Sequence, residues 1–210
     1  EIRLSLVGSE MCIRDSNSTL LKNVGAFTLA CWMKTSATPT TSAALLYVNN
    51  GSAVGSSRAS LWVLATTGKS QAAARAGDAE SIQAKISDST YNDGAWRHVA
   101  MTVNIPGDTI TLYVDGSAVS ATGTIAFTNS ATSDINPLRV AIGGIGSPAS
   151  NFINGSLADA RIYTRALIAG DIGELYDLGT PESSGNGLLK AILLYSCLLY
   201  TSDAADDLLC

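Results

Sequence analysis

The chain has 210 residues, with 13 Lys and Arg against 18 Asp and Glu, one His and four Cys, and a formal charge of −5. No basic excess marks it as a nucleic-acid binder, and the apolar run Leu188–Tyr195 is shorter than the about 20 residues a membrane-spanning helix needs. The length suits one domain with a sizeable core.

The two ends stand apart from the middle. Leu6–Ser16 resembles a translated transposase adapter from a sequencing library, and Cys197–Asp207 resembles the opposite adapter. One DNA sequence can encode Met11–Ser16, and its reverse complement can encode Ser196–Ser202, a match that two unrelated natural termini rarely show. Glu1–Ser16 and Ser196–Cys210 are therefore expected to be artefact, as in a metagenomic fragment, and are set aside from fold reasoning. The domain is expected to span residues 17–179, with 180–195 a linker or the start of a truncated next domain. Setting aside Arg3 and Arg14, and Glu1, Glu10, Asp15, Asp203, Asp206 and Asp207, leaves 11 basic and 12 acidic residues, so the apparent acidity mostly disappears. Cys12, Cys197 and Cys210 also fall in the flanks. Cys31 is then alone, without a disulfide partner or a zinc-type Cys/His spacing.

From residue 26 onward, short apolar runs recur about every ten residues and are separated by Gly, Asn, Ser, Asp and Pro, the pattern of an all-β sandwich. The predicted strands are Ala26–Thr35, Ala44–Asn49, Ala59–Thr66, Gln71–Ala76, Ser81–Ile86, Trp96–Val103, Thr109–Val114, Ser117–Ala126, Leu138–Ile142 and Gly155–Thr164. The intervening loops are Ser36–Ser42, Asn49–Ser57, Asp88–Gly94, Thr128–Asn136 and Gly143–Asn151. In Phe27–Met33, Cys31 shares a face with Phe27, Leu29 and Met33 and reads as a small core residue. From Trp96 the chain alternates: Arg97, Val99, Met101 and Val103 point one way, and Trp96, His98, Ala100 and Thr102 the other. Asn104–Asp108 breaks the pattern, and Asp115-Gly116 is a strong hairpin signal because Gly tolerates the positive φ of a primed turn. Trp96 to about Ile125 thus reads as a three-stranded meander. Leu167, Ile168, Ile172, Leu175 and Tyr176 have helical spacing and predict a short helix over Ala169–Tyr176, with Glu182–Gly187 a flexible linker.

Phe27–Lys34, Gly94–Thr102, Leu112–Gly116, Gly143-Gly144 and Asn154–Leu167, followed by Ile172, Leu175 and Tyr176, resemble the laminin-G-like group of the concanavalin A-like lectin/glucanase superfamily over about Asn17 to Leu178. The resemblance implies a jelly-roll sandwich of two antiparallel sheets with one short C-terminal helix. It also implies a secreted or cell-surface setting, often beside glycoside hydrolase or adhesion domains, and carbohydrate or protein ligands. Some members carry calcium. Two departures concern this chain. The family's first strand would precede Asn17 and is missing, and the acidic residue usual before Asp159 is Ala158. Asp159 is the residue at which the resemblance implies calcium. No cofactor is required, and Asp159 serves equally as a turn residue or as a partner of Arg161.

Hydrolysis of a glycan needs two flanking carboxylates, about 5 Å apart in retaining enzymes. The tight E-x-D-x-x-E array of the superfamily's glucanases is absent. Asp78 and Glu80 read as solvated turn charges, and Asp171, Glu174 and Asp177 as an exposed helix face. A Cys31–His98 nucleophile pair has nothing in the sequence to bring it together, and His98 is expected on the sheet face opposite the core in a structural role. No catalytic residue is assigned.

Trp32, Trp62 and Trp96 are the residues on which a sugar could stack. All three are expected in the core, with Trp62 the single candidate for ligand contact because its strand is the least constrained. Loops around Asn49–Ser57, Asp88–Asp93 and Gly146–Asn151 are candidate rim surfaces. The expected function is a non-catalytic recognition module, binding glycan or protein, within a larger extracellular microbial protein alongside neighbouring domains. The alternatives are a structural spacer without its own ligand and, more remotely, a divergent glycoside hydrolase.

Overall fold

A computed structural model describes residues 2–4, 15–18, 21–49, 57–77, 80–132, 138–144 and 150–181. Thirteen strands and one helix follow in order: β1 (Ile2–Leu4), β2 (Asp15–Ser18), β3 (Ala26–Lys34), β4 (Ala43–Asn49), β5 (Ser57–Val63), β6 (Lys69–Ala74), β7 (Gln83–Thr90), β8 (Trp96–Asn104), β9 (Thr109–Val114), β10 (Ser117–Ala118), β11 (Ala121–Thr122), β12 (Leu138–Ile142), β13 (Ser156–Tyr163) and α1 (Ala169–Asp177). They form two antiparallel sheets, ordered β1-β13-β3-β8-β9-β10 and β11-β7-β6-β5-β4-β12-β2. This is the expected all-β jelly-roll sandwich with a short C-terminal helix. The linker at 182–187, the apolar run 188–195 and the segment 196–210 lie outside the described residues, as do Asp78 and the loop portions 50–56, 133–137 and 145–149.

The central pairing is β3 with β8, in unbroken register from Ala26↔Asn104 to Lys34↔Trp96. Its odd-numbered residues, Phe27, Leu29, Cys31 and Met33 with Val99, Met101 and Val103, point between the sheets. There they meet Leu45, Leu46 and Val48 of β4, Leu61 and Val63 of β5, and Val140 and Ile142 of β12. Apolar burial on this scale is the main stabilising term of the fold. Cys31 has no exposed surface, and burial, reinforced by the negative charge of Asp159, pushes its thiol up to about 12. That makes it an inert packing residue.

Several predicted boundaries move. Residues 1–16 are set aside as artefact by sequence, although the alternation of Ile2, Leu4 and Leu6 suits the vacant edge; β1 and β2 take an outermost place in each sheet, and without them the sheets hold five strands (β13 to β10) and six (β11 to β12). Ile2 and Leu4 pair with Ile162 and Ala160, both core-facing. An open sheet edge carries unmade backbone hydrogen bonds, so an extended segment with alternating apolar residues is a suitable cover. The predicted strand Ser117–Ala126 is also corrected. β10 stays beside β9, while β11 crosses to pair with β7 in the other sheet. Gly123 then ends the pairing with φ of +135°, where an added Cβ would fall 2.0 Å from the Ala84 carbonyl oxygen. β7 runs to Thr90, further than the alternation of its apolar residues reveals.

Asp115 and Gly116 form the tight turn between β9 and β10, with φ of +50° and +78°, as the Asp-Gly pair predicts for a primed hairpin. The Asp115 carboxylate accepts the His98 backbone N–H at 3.0 Å and Arg97 Nη1 at 2.6 Å, fixing the turn to β8. Gly116 is needed twice over, because a Cβ there would also sit 3.1 Å from Tyr176 of α1. A Gly116→Ala substitution is expected to lower stability by about 1–2 kcal/mol from the left-handed backbone alone. The check is the urea midpoint at unchanged m-value; an unshifted midpoint would contradict this role.

Candidate functional site

The sandwich has two outer faces, and the sequence treats them differently. On the six-stranded sheet the even-numbered residues of β3 and β8 point outward: Thr28, Ala30 and Trp32 beside Thr102, Ala100 and His98. Helix α1 covers this strip. Leu167 and Ile172 pack on Ala30, Ala100 and Tyr113. Thr28 Oγ1 donates to the Arg165 carbonyl at 2.9 Å and accepts the Leu167 N–H at 2.9 Å, which pins the chain entering the helix. Asp171 lies in the first turn, where a negative charge suits the helix dipole, and pairs with Arg165 at 2.8 Å. Tyr176 stacks on Trp32, with ring centroids 5.6 Å apart, and His98 lies 5.3 Å from Trp32. Trp32 is therefore buried as expected, but beneath the helix rather than between the sheets.

His98 takes the expected position opposite the main core. Burial lowers its pKa to about 4; Arg161 lowers it further, while Asp159 and Asp115 oppose the shift. Its Nδ1 is buried and has no hydrogen-bond partner among the described residues. The folded protein thus holds a neutral imidazole beside the stacked Trp32 and Tyr176 rings, an arrangement for packing and not for proton transfer at neutral pH.

On the seven-stranded sheet the outward residues include a small aromatic cluster. Ala44, Tyr47, Trp62 and Ala141 cluster there, away from the main core. Tyr47 meets Trp62 edge-on, with centroids 5.6 Å apart and an interplanar angle of 82°, a favoured aromatic geometry. Cross-strand pairing places Ala44 and Gln71 on either side of Trp62, and Ser60 between Tyr47 and Ala73. Trp62 is half-buried, not a core residue as expected. Tyr47 was not singled out by sequence because the run Leu45–Val48 hides a β-bulge. The extra residue between Ala44 and Leu46 sends both Leu45 and Leu46 inward and turns Tyr47 outward. Trp96 is also only half-buried; it lies on the other sheet, with Lys34 Nζ 5.9 Å from its ring centre.

Glu80, Asp93, Asp115 and Asp159 are committed to structural partners. Glu80, expected as a solvated turn charge, is buried. Its carboxylate accepts the N–H groups of Ala76 at 2.6 Å and Gly77 at 3.3 Å, together with the backbone N–H of Thr128 and, at 2.8 Å, its hydroxyl. Burial opposes ionisation, but these hydrogen bonds outweigh it and lower the pKa. Glu80 thus ties the β6–β7 loop to the segment after β11. Asp93 and Asp115 both grip Arg97, and the Arg97 hydrogen bond keeps Asp93 below its usual range. A proton-donating glycosidase carboxyl needs the opposite shift. Asn92, in the candidate rim around Asp88–Asp93, donates to Thr38 Oγ1 at 2.9 Å and to the Ala37 carbonyl at 3.3 Å. The rim candidates 50–56 and 146–149 fall outside the described residues.

Asp159 sits at a bulge in β13 with φ of +48°. Arg161 donates Nε to its Oδ1 at 3.0 Å and Nη2 to its Oδ2 at 2.7 Å. This bidentate pair engages both oxygens of the carboxylate. No group of three His, Cys, Asp or Glu residues that could hold a metal ion occurs among the described residues. Calcium calls for six to eight oxygen ligands, and Asp159 is the single residue at which the resemblance implies it.

Two measurements check these assignments. His98 has a folded pKa of about 4 against an unfolded value of 6.5, so the unfolded chain binds its proton first. Its contribution is complete above pH 6.5 and is lost as pH falls toward 4, an effect on the order of 3 kcal/mol. His98→Gln is expected to flatten the stability profile across that window; identical profiles would refute it. Calcium titration followed by calorimetry is expected to show no micromolar binding. A micromolar event abolished by Asp159→Asn would show that Asp159 leaves Arg161 for the metal.

A family model described as the concanavalin A-like lectin/glucanases superfamily matches residues 9–173. No curated protein matches the chain in sequence. Among solved structures, the CBM40 of the Ruminococcus gnavus IT-sialidase bound to α2,3-sialyllactose is similar at a TM-score of 0.66 and 18% identity, covering 83% of this chain and 98% of that one. The heptameric SAP-like pentraxin of Limulus polyphemus is similar at 0.60 and 16%, covering 88% and 85%. The Trypanosoma rangeli sialidase is similar at 0.52 and 16%, covering 72% of this chain but only 22% of the enzyme. On the match over residues 9–173 and the jelly-roll architecture, the chain belongs to the concanavalin A-like lectin/glucanases superfamily.

Proposed function

We propose that this chain is a non-catalytic carbohydrate-recognition module of a larger extracellular protein, and that a sugar ring stacks on Trp62. The half-buried Trp62, braced edge-on by Tyr47 amid small residues on the outer face of the seven-stranded sheet, carries this reading. A pyranose has one apolar face, and an indole ring on a flat surface offers a matching partner. The other outer face is occupied by α1, which leaves Trp32 without a surface to offer. The similarity to a CBM40 that was bound to α2,3-sialyllactose supports the ligand class and makes that trisaccharide a suitable first ligand to try.

A binding role is also supported over hydrolysis by the short reach of the sialidase similarity, 22% of that enzyme, and by the engagement of Asp93, Asp115 and Asp159 with arginines. Calorimetric titration with α2,3-sialyllactose and lactose, backed by a glycan array, is the test. Trp62→Ala is expected to weaken glycan binding at least tenfold while leaving the near-UV spectrum of the buried aromatics largely intact. A protein that retains no glycan on the array would favour the spacer reading, and turnover of a glycan would favour the hydrolase.

A further inference from the structure

We infer that Gln71 is the hydrogen-bonding half of the sugar subsite whose stacking half is Trp62, and that it reads a pair of adjacent hydroxyls on a pyranose. The inference rests on the proposed carbohydrate reading and adds a specificity-determining residue and a ligand chemistry to it.

Three observations point to Gln71. Trp62 and Gln71 are direct cross-strand partners in the antiparallel β5–β6 pair, and such partners project side by side from one face, with Cβ atoms about 5 Å apart. The face is the outer one: Leu61, Val63, Ala72 and Ala74, their chain neighbours, belong to the main core. Second, Gln71 is half-buried, and its amide makes no hydrogen bond among the described residues. A planar carboxamide carries one acceptor and two donors, so it can accept from one hydroxyl and donate to the next. Third, Arg58 and Arg75, which alternation places on this same outer face, are themselves buried. Arg58 is 1% exposed and donates Nη1 to the Ala76 carbonyl at 2.8 Å, and Arg75 is 9% exposed. The direct cross-strand partner of Trp62 is therefore an amide and not the guanidinium fork that suits a carboxylate. A stacking ring fixes the plane of a sugar but tolerates many sugars; a neighbouring hydrogen-bonding group selects which hydroxyl arrangement fits.

The test uses the full chain with lactose and α2,3-sialyllactose, which differ by the acidic sugar. Gln71→Leu preserves the side chain's bulk and removes its polar atoms. It is expected to weaken binding of both ligands about tenfold, and saturating lactose is expected to shift the Gln71 side-chain amide resonances in a nitrogen–proton correlation spectrum. If Trp62→Ala abolishes binding while Gln71→Leu leaves it unchanged, the inference fails and the carbohydrate reading stands. A loss confined to sialyllactose would overturn the hydroxyl assignment in favour of contact with the acidic sugar. If neither ligand binds the unmodified protein, the inference is overturned for these sugars, and a blank glycan array would overturn the carbohydrate reading with it.

Discussion

The nine-residue register between β3 and β8 is the constraint on which the rest of the molecule depends. It sets two chemically different surfaces back to back. The odd-numbered residues from Phe27 to Met33 and from Val99 to Val103 are large and apolar and close the interior against the opposite sheet. The even-numbered residues include Thr28, Ala30 and Ala100, small enough to let a helix lie against the strands. A shift of one residue would exchange the two sets, since strand side chains alternate. The same register therefore specifies both the sandwich and the seat of α1.

Several charged groups among the described residues serve the scaffold. Arg97 joins the β7–β8 loop to the Asp115 turn, Arg161 closes on Asp159 within its own strand, and Glu80 collects backbone donors from two loops. A carboxylate held by a cation or by N–H groups is stabilised as the anion, which makes it a poor proton donor. The proposed subsite accordingly rests on an aromatic and an amide group. Trp62 and Gln71 stand at a cross-strand pair where the neighbouring residues Ala44 and Ala73 leave room.

Much of this was legible in the sequence because it is encoded locally. The period of two across Phe27–Met33 and Trp96–Val103, the Asp115-Gly116 turn and the helical spacing of Ile172, Leu175 and Tyr176 each need only a few neighbouring residues to be read. What escaped depends on distant partners. Glu80 looks like a loop charge until Thr128 is brought to it, and Trp32 looks like a core residue until α1 is laid over it. Ser117–Ala126 reads as one strand because nothing local says that its two halves belong to different sheets. Tyr47 was concealed by a bulge that breaks alternation inside a continuous apolar run. For the candidate site, sequence supplied Trp62 but neither its brace nor its polar neighbour, since both relations are set by pairing across strands.

The contact between Tyr176 and Gly116 has a bearing on how the chain matures. The helix follows every described strand, yet it lands on a turn 60 residues earlier and covers an indole on β3. During synthesis the strip around Trp32 must stay wet until the final turn of α1 has left the ribosome. A chain interrupted before that point would display a greasy, aromatic stripe to every passing chaperone and protease, so synthesis of α1 and concealment of that early strand become the same event.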